Sequence, residues 1–302
     1  MVVREDNSET GGSWWIAAAA SPWLLSLSIF FALPLVGLIL LSLSGPNGDV
    51  TLGNYAAIAD LSSGRLDVLG RTLRIGITVV AISLCLAVPV AYFLAKVLQS
   101  ARLESLILLL VSATFLAGPL VRTVSWRGIL GVHGLINESL VGLGVITLPI
   151  LSLLYGELAM ILALTYNVFP FLLFTTYLSM KMLDDRYLAA ARDLGATPAA
   201  AFFRIAMPLA APGIVTGAVL VFVPTLSAVL EPEILGGTSS RLMATAIRDQ
   251  FFHARNWPLG AALTVVLILS GAITIGLLAF LTAWSLRICG HFGLEVGKSP
   301  HA

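Results

Sequence analysis

The stretch LAAARDLGATPAAAFFRIAMP, Leu188 to Pro208, stands between two long apolar runs of a 302-residue chain. Its order of charge, alanine and glycine predicts a helix, a break and a second helix. Asp184 or Asp185 can cap the start, where a carboxylate accepts orphan amide protons and meets the positive end of the helix dipole. Tyr187 to Leu194 is then an alanine-rich helix of high intrinsic propensity. Gly195 suits the left-handed position that ends it. Thr197 is the next N-cap and Pro198 the first residue of a second helix, which is expected to stop before Pro208. On this elbow Leu188, Leu194, Phe202 and Phe203 are expected to be partly uncovered. Two uses suit such an element: lying on a membrane surface, or fitting a groove in a soluble partner.

The rest of the chain is greasy. Hydrophobic residues make up 58% and charged residues only 11%, with a mean hydropathy of +0.96. A soluble domain of this length needs far more charge to cover its surface. Several apolar runs reach the roughly 20 helical residues that cross a bilayer core. The fold class is therefore an all-α membrane protein. The net charge of +1, with no basic stripe, argues against nucleic acid as a partner.

Six spans are expected, at about 14–43, 73–98, 103–121, 154–178, 209–230 and 259–286. Pro34, Pro89, Pro170 and Pro224 fall inside them, which membranes tolerate where neighbours satisfy the freed carbonyls. Spans three and four are joined by a Gly-rich segment able to dip into the interface. MVVREDNSETGGS is expected to be a polar N-terminal tail (1–13), and 287–302 a polar C-terminal tail. Cys85 and Cys289 are not placed to form a structural disulfide, and the histidines show no metal-ligand spacing. Lys and Arg divide almost evenly between the two sides, so orientation rests on the elbow.

Ionisable residues near a span interior are functional suspects. Glu157, at the start of span four, either lines a path or is solvated at the interface. Tyr166 and Asn167 lie deeper on the same helix, where Asn167 can bond a neighbouring helix or the carbonyl freed by Pro170. Glu231 and Glu233 follow span five. Together with Glu157 they can attract a cation, or they form a solvated end paired with Arg241. Arg122, Trp126 and Arg127 can serve an anionic group or anchor at the interface, and Trp126 can stack on a cation. Gly213 and Gly217 have the spacing of a close helix contact, either within the chain or against a second subunit.

The elbow resembles the EAA loop of binding-protein-dependent ABC transporter permeases, whose pattern is E-A-A, three residues, G, nine residues, I-x-L-P. Ala189-Ala190-Ala191, Gly195, Ile205 and Met207-Pro208 fall at those spacings, with Ala189 where glutamate is usual and Met207 where leucine is usual. FFALPLVGLILLSL, TLGNYAAI, VPVAYFLA, EPEILGG and RNWPLGAAL are similar to the spermidine/putrescine-type branch. The acidic and aromatic residues common in that branch near Ala228-Val229 are missing here.

The resemblance implies a type I importer fold with both termini cytoplasmic in a bacterial inner membrane. It implies a permease domain over 14–286 whose elbow, 184–208, is a cytoplasmic coupling helix. Ala189, Ala190, Ala191, Asp193, Gly195, Ile205 and Pro208 would then be the ATPase-coupling positions. Glu157, Tyr166, Asn167, Glu231 and Trp126 are the candidates for a solute path, polyamine-like by that resemblance. It further implies a separate ABC ATPase dimer that binds the ATP, a second permease and a periplasmic or lipid-tethered solute-binding protein. In keeping with this, the chain carries no G-x-x-x-x-G-K-[ST] loop and needs no cofactor of its own. Other expectations stay open: a permease for an opine, amino-acid derivative, phosphonate or ferric ion, or a stand-alone channel or secondary carrier.

Overall fold

The computed structural model describes residues 13–45, 48–237 and 240–295. Among these the chain is helical, with one isolated bridge between Ser44 and Val50. In order the helices are α1 (Ser13–Ser42), α2 (Gly53–Ala59), α3 (Arg65–Tyr92), α4 (Ala101–Ala113), α5 (Pro119–Leu130) and α6 (Leu135–Gly142). They continue as α7 (Glu157–Lys181), α8 (Asp185–Asp193), α9 (Pro198–Ala201), α10 (Met207–Leu226), α11 (Leu230–Leu235), α12 (Met243–Phe252) and α13 (Trp257–Glu295). Residues 1–12 and 296–302 of the two expected tails lie outside the described residues, as do the side chains of Trp14 and Trp15.

Five helical stretches are long and apolar enough to cross a membrane: Ser21–Ser42, Arg65–Val97, Glu157–Lys181, Pro198–Leu226 and Trp257–Phe280. A sixth is present only if one bent helix pair is counted as a single span. Ala101–Leu116 and Pro119–Gly142 meet at 97°, so the expected straight span ending at Val121 is wrong, and the Gly-rich connection is largely helical. The cause is local. Ala117 and Gly118 are extended (ψ 125° and 153°) and Pro119 starts the next helix, because proline disfavours the helical region for the residue before it.

Other boundaries shift for similar reasons. The second span starts at Arg65, its first turns carrying charge outside the apolar run. The last helix runs on to Glu295, beyond the expected end at 286. The elbow's second helix does not stop before Pro208. It passes through a π-helical turn, Phe202–Ala206, into α10. Pro208 sits in the first turn of α10, where the wider turn absorbs the missing amide proton.

α7 lies at the centre, packed between α3 and α10. It buries Met160, Leu164, Leu172 and Leu173 against Ile75, Val79, Val221 and Phe222. A Cβ on Gly213 would overlap the Ser179 side chain, and one on Gly217 would overlap Thr175 and meet Leu172 at 2.7 Å. The paired glycines therefore serve a contact inside this chain, between α10 and α7.

Candidate coupling elbow and solute site

The elbow forms as its residues dictate. Asp184 is the N-cap of α8, its carboxylate accepting the Arg186 amide proton at 2.9 Å. At the other end Gly195 is left-handed, with φ +81°. The Ala196 amide donates to the Ala191 carbonyl and the Gly195 amide to Arg192, both at 2.9 Å. This is the Schellman arrangement that satisfies the last carbonyls of a helix. Thr197 accepts from the Ala200 amide at 3.2 Å and starts α9.

One face of the elbow is fastened and the other is bare. Leu188 and Ala191 join Met180, Leu183, Ala206, Ala210 and Val88 in an apolar cluster. Leu188 is only 2% exposed, against the expectation that it is uncovered: the helix turns it inward onto the ends of α3 and α7. Phe202 and Ile205 are half-buried against the same cluster. Leu194 is 88% exposed, and Phe203, Met182 and Tyr187 are exposed with it. Ala189, Ala190, Asp193 and Gly195 lie on the open side, Ala191 on the packed side, and Pro208 is half-buried where α10 begins.

Four of the five solute-path candidates converge elsewhere, about 21 Å along α7 from its elbow end at 1.5 Å per residue. Asn167 donates from Nδ2 to Glu231 Oε1 at 2.7 Å. Thr123, on α5 beyond the break, has its hydroxyl 2.9 Å from the Pro119 carbonyl, 3.3 Å from Glu231 Oε1 and 3.4 Å from Asn167 Nδ2. Trp126, one turn on, meets Tyr166 edge to face at 5.8 Å between centroids. Phe115 and Phe171 form a second ring pair at 4.9 Å, one turn further along α7. Glu231 is 7% exposed and Asn167 9%. Among the described residues Glu231 has no ion-pair partner, and the Asn167 Oδ1 atom is buried without a hydrogen bond. The cluster thus gathers acceptors at Glu231, Asn167 and Thr123, and among the described residues no cation pairs with Glu231, an arrangement that suits an ammonium group; Arg122, next to Thr123 in sequence, has two guanidinium nitrogens buried without a hydrogen bond.

Glu157 stands apart. It opens α7 at the end opposite the elbow and holds Arg74 at 2.6 and 2.8 Å in a largely exposed pair. The solvated end expected around Glu231 and Glu233 divides likewise. Glu231 is buried, Glu233 pairs with Arg248, and Arg241 pairs with Asp249. The Glu233 carboxylate hydrogen-bonds Arg248 and holds its pKa above the ordinary value. Thr123, Phe115 and Phe171 were missed because their meeting depends on the bend of the third span. The Gly118-Pro119 break was the one signal for it.

Fold, bent span and elbow together define a polytopic helical transport subunit. The chain belongs to the family described as binding-protein-dependent transport system inner membrane component, which matches residues 87–287; it is a multi-pass inner-membrane permease of an ABC importer and not itself an enzyme. It is 32% identical over 266 residues to the spermidine/putrescine transport system permease protein PotB of Haemophilus influenzae, covering 87% of this chain and 88% of that one. To the PotB of Escherichia coli K12 it is 36% identical over 217 residues, 72% and 77% of the two chains. Among solved structures, the fold resembles a chain of a bacterial alginate ABC transporter in complex with alginate pentasaccharide-bound periplasmic protein, at TM-score 0.68, 14% identity and coverage of 95% and 96%. It also resembles a chain of the inward-facing MetNI methionine ABC transporter, at TM-score 0.53, 18% identity and coverage of 74% and 95%.

Proposed function

We propose that this permease carries a small polyamine-like cation, and that the buried Glu231 is where an ammonium group rests on the way. One observation carries the solute reading: a carboxylate removed from water whose hydrogen-bond partners, among the described residues, are neutral. Burying such a charge is costly unless a cation pairs with it. Asn167 Oδ1 and the Thr123 hydroxyl supply further acceptors for an ammonium, and the Trp126–Tyr166 pair, one residue from Asn167 and one turn from Thr123, adds aromatic surface of the kind that attracts a cation. The PotB relatives support the same class. Glu157 is an outer attractor at most, since Arg74 already neutralises it.

The elbow at 184–208 is the contact for a separate ATPase dimer, with both termini on the same, cytoplasmic side. Leu194, Phe203, Met182 and Tyr187 supply the apolar face and Asp193 an exposed charge. The Ala189–Ala191 face and the Gly195 turn set its shape, while Ile205 and Pro208 pass its movement into α10. ATP is bound by that partner, whose closure shifts the permease between two states. A second permease completes the path, and a solute-binding protein delivers the cargo. The solved alginate transporter with its periplasmic protein supports such a partner.

The test is extraction from native membranes in mild detergent with mass spectrometry of what co-purifies. The co-purified set is then placed in liposomes and uptake of labelled putrescine and spermidine is measured. An ATPase, a second permease and saturable polyamine uptake are expected. A chain that comes out alone, or a complex inert to polyamines, overturns the partner or the solute reading respectively.

A further inference from the structure

Lys96 is buried where a lysine rarely is. It belongs to a π-helical turn, Phe93–Val97, that follows α3, and its side chain is only 5% exposed. Its Nζ donates to the Leu183 carbonyl at 2.5 Å and to Asp185 Oδ1 at 2.6 Å. Leu183 lies in the joint between α7 and the elbow, and Asp185 is the first residue of α8. One ammonium therefore holds the carbonyl of the joint after α7 and a first-turn carboxylate of α8 together. Asp185 is 81% exposed, so the carbonyl of the joint is the enclosed partner and the carboxylate the solvated one.

The chain around Lys96 repeats the attachment. Tyr92 meets Phe202 edge to face at 4.7 Å, so the π turn after α3 and the π turn before α10 lie side by side. Ala95 packs on the same apolar cluster as Leu188. Beyond Lys96 only 98–100 separate the turn from α4, whose Glu104 takes a hydrogen bond from Tyr177 and pairs with Lys181 at 2.6 Å. α4 then leads to Phe115 and the break beside Thr123 and Trp126.

α7 and α10 join the elbow through the backbone; α3 does not. We infer that Lys96 is the positioning residue that makes α3 move with the elbow, giving the ATPase stroke a second route, through α3 and α4, to the break in the third span. The inference rests on the elbow being the ATPase contact. Without the ammonium the elbow still docks, but α3 keeps only the apolar contacts of Val88, Tyr92 and Ala95 with it, and the route through α3 and α4 is weakened.

The test uses the complete complex with its ATPase and second permease in nanodiscs. Spin labels are placed at Gln99→Cys and Arg186→Cys, with Cys85 and Cys289 changed to Ser. In the otherwise wild-type protein the label distance is expected to stay constant between the nucleotide-free and ATP–vanadate states. With Lys96→Met it is expected to shift or broaden on adding nucleotide, and ATP hydrolysed per spermidine imported should rise about threefold to thirtyfold. Lys96→Arg should restore both readings, and Asp185→Asn should disturb them less than Lys96→Met does. Thermal stability should change little, which separates positioning from folding. Labels that part in the wild-type complex overturn the inference even if Lys96→Met fails to assemble. So does Lys96→Met with wild-type distances and coupling. A cross-link from Ala190→Cys to the ATPase is the control: if it forms and the labels part, only the Lys96 inference falls, whereas its absence removes the docking reading beneath it.

Discussion

Asn167 Nδ2 stands 2.7 Å from Glu231 Oε1, so an amide in the middle of α7 and a carboxylate on α11 hold each other beside the gap where α4 gives way to α5. The amide offsets part of the cost of burying the carboxylate but leaves its charge uncompensated. On the proposed reading an arriving ammonium would supply that compensation.

Glu231→Gln keeps the shape and removes the charge. Losing a hydrogen bond to a charged group costs about 1.5–3 kcal/mol, so spermidine uptake by the reconstituted complex should fall about tenfold to a hundredfold. Assembly with the ATPase should be unaffected. Uptake at the wild-type rate would take Glu231 out of the path.

Glu157→Gln should do little. An exposed ion pair contributes about 0–1 kcal/mol and weakens with salt, and Arg74 is free to rehydrate. Uptake within a few-fold of wild type is expected in initial-rate assays, with the difference shrinking as ionic strength rises. A loss as large as that of Glu231→Gln would put Glu157 on the path after all.

Gly195 has open space around it, and a Cβ there would meet nothing within 4 Å. Its constraint is the left-handed backbone at φ +81°, which costs a residue with a Cβ about 1–2 kcal/mol and a β-branched one more. Gly195→Val should abolish transport-coupled ATP hydrolysis while the protein stays in the membrane. Gly195→Asn, tolerant of that conformation, should retain most of it. Equal activity in the two would show that the turn is not what matters.

Leu188 and Leu194 sit six residues apart with opposite fates. Leu188→Ala should lower stability by about 2–5 kcal/mol, the usual range for emptying a core leucine, read as a fall in melting temperature in detergent. Leu194→Asp should leave the melting temperature alone and lose the ATPase on co-purification. If both variants melt early and both keep the ATPase, the exposed face is not the docking face.

Gly217→Val drives a side chain into Thr175 and Leu172. Overpacking costs about 1–3 kcal/mol, and this overlap belongs at the upper end. Gly37→Val, on α1 with nothing within 4 Å, is the matched control. Thermal unfolding should separate the two clearly, and similar curves would contradict the close contact of α10 with α7.

Sequence alone determined the membrane class, the helical make-up and the caps and glycine turn of the elbow. Those are local matters: apolar runs meet a bilayer of set thickness, and Asp184, Gly195, Thr197 and Pro198 act through backbone groups a few residues away. The residue types of the proposed solute site were legible too, since Glu231, Asn167, Tyr166 and Trp126 are polar or amphipathic in an apolar chain. Tertiary structure decided their company. The bend at Gly118-Pro119 swings Thr123 and Trp126 against α7, and the chain's return at α11 buries Glu231 there while leaving Glu157 to Arg74. It also turned Leu188 inward and set Lys96 under the elbow, 89 residues from Asp185 in sequence. Such pairings depend on how helices cross, which no local pattern records. Propensity and hydropathy speak for a residue and its neighbours, whereas a buried charge is defined by whatever packs against it.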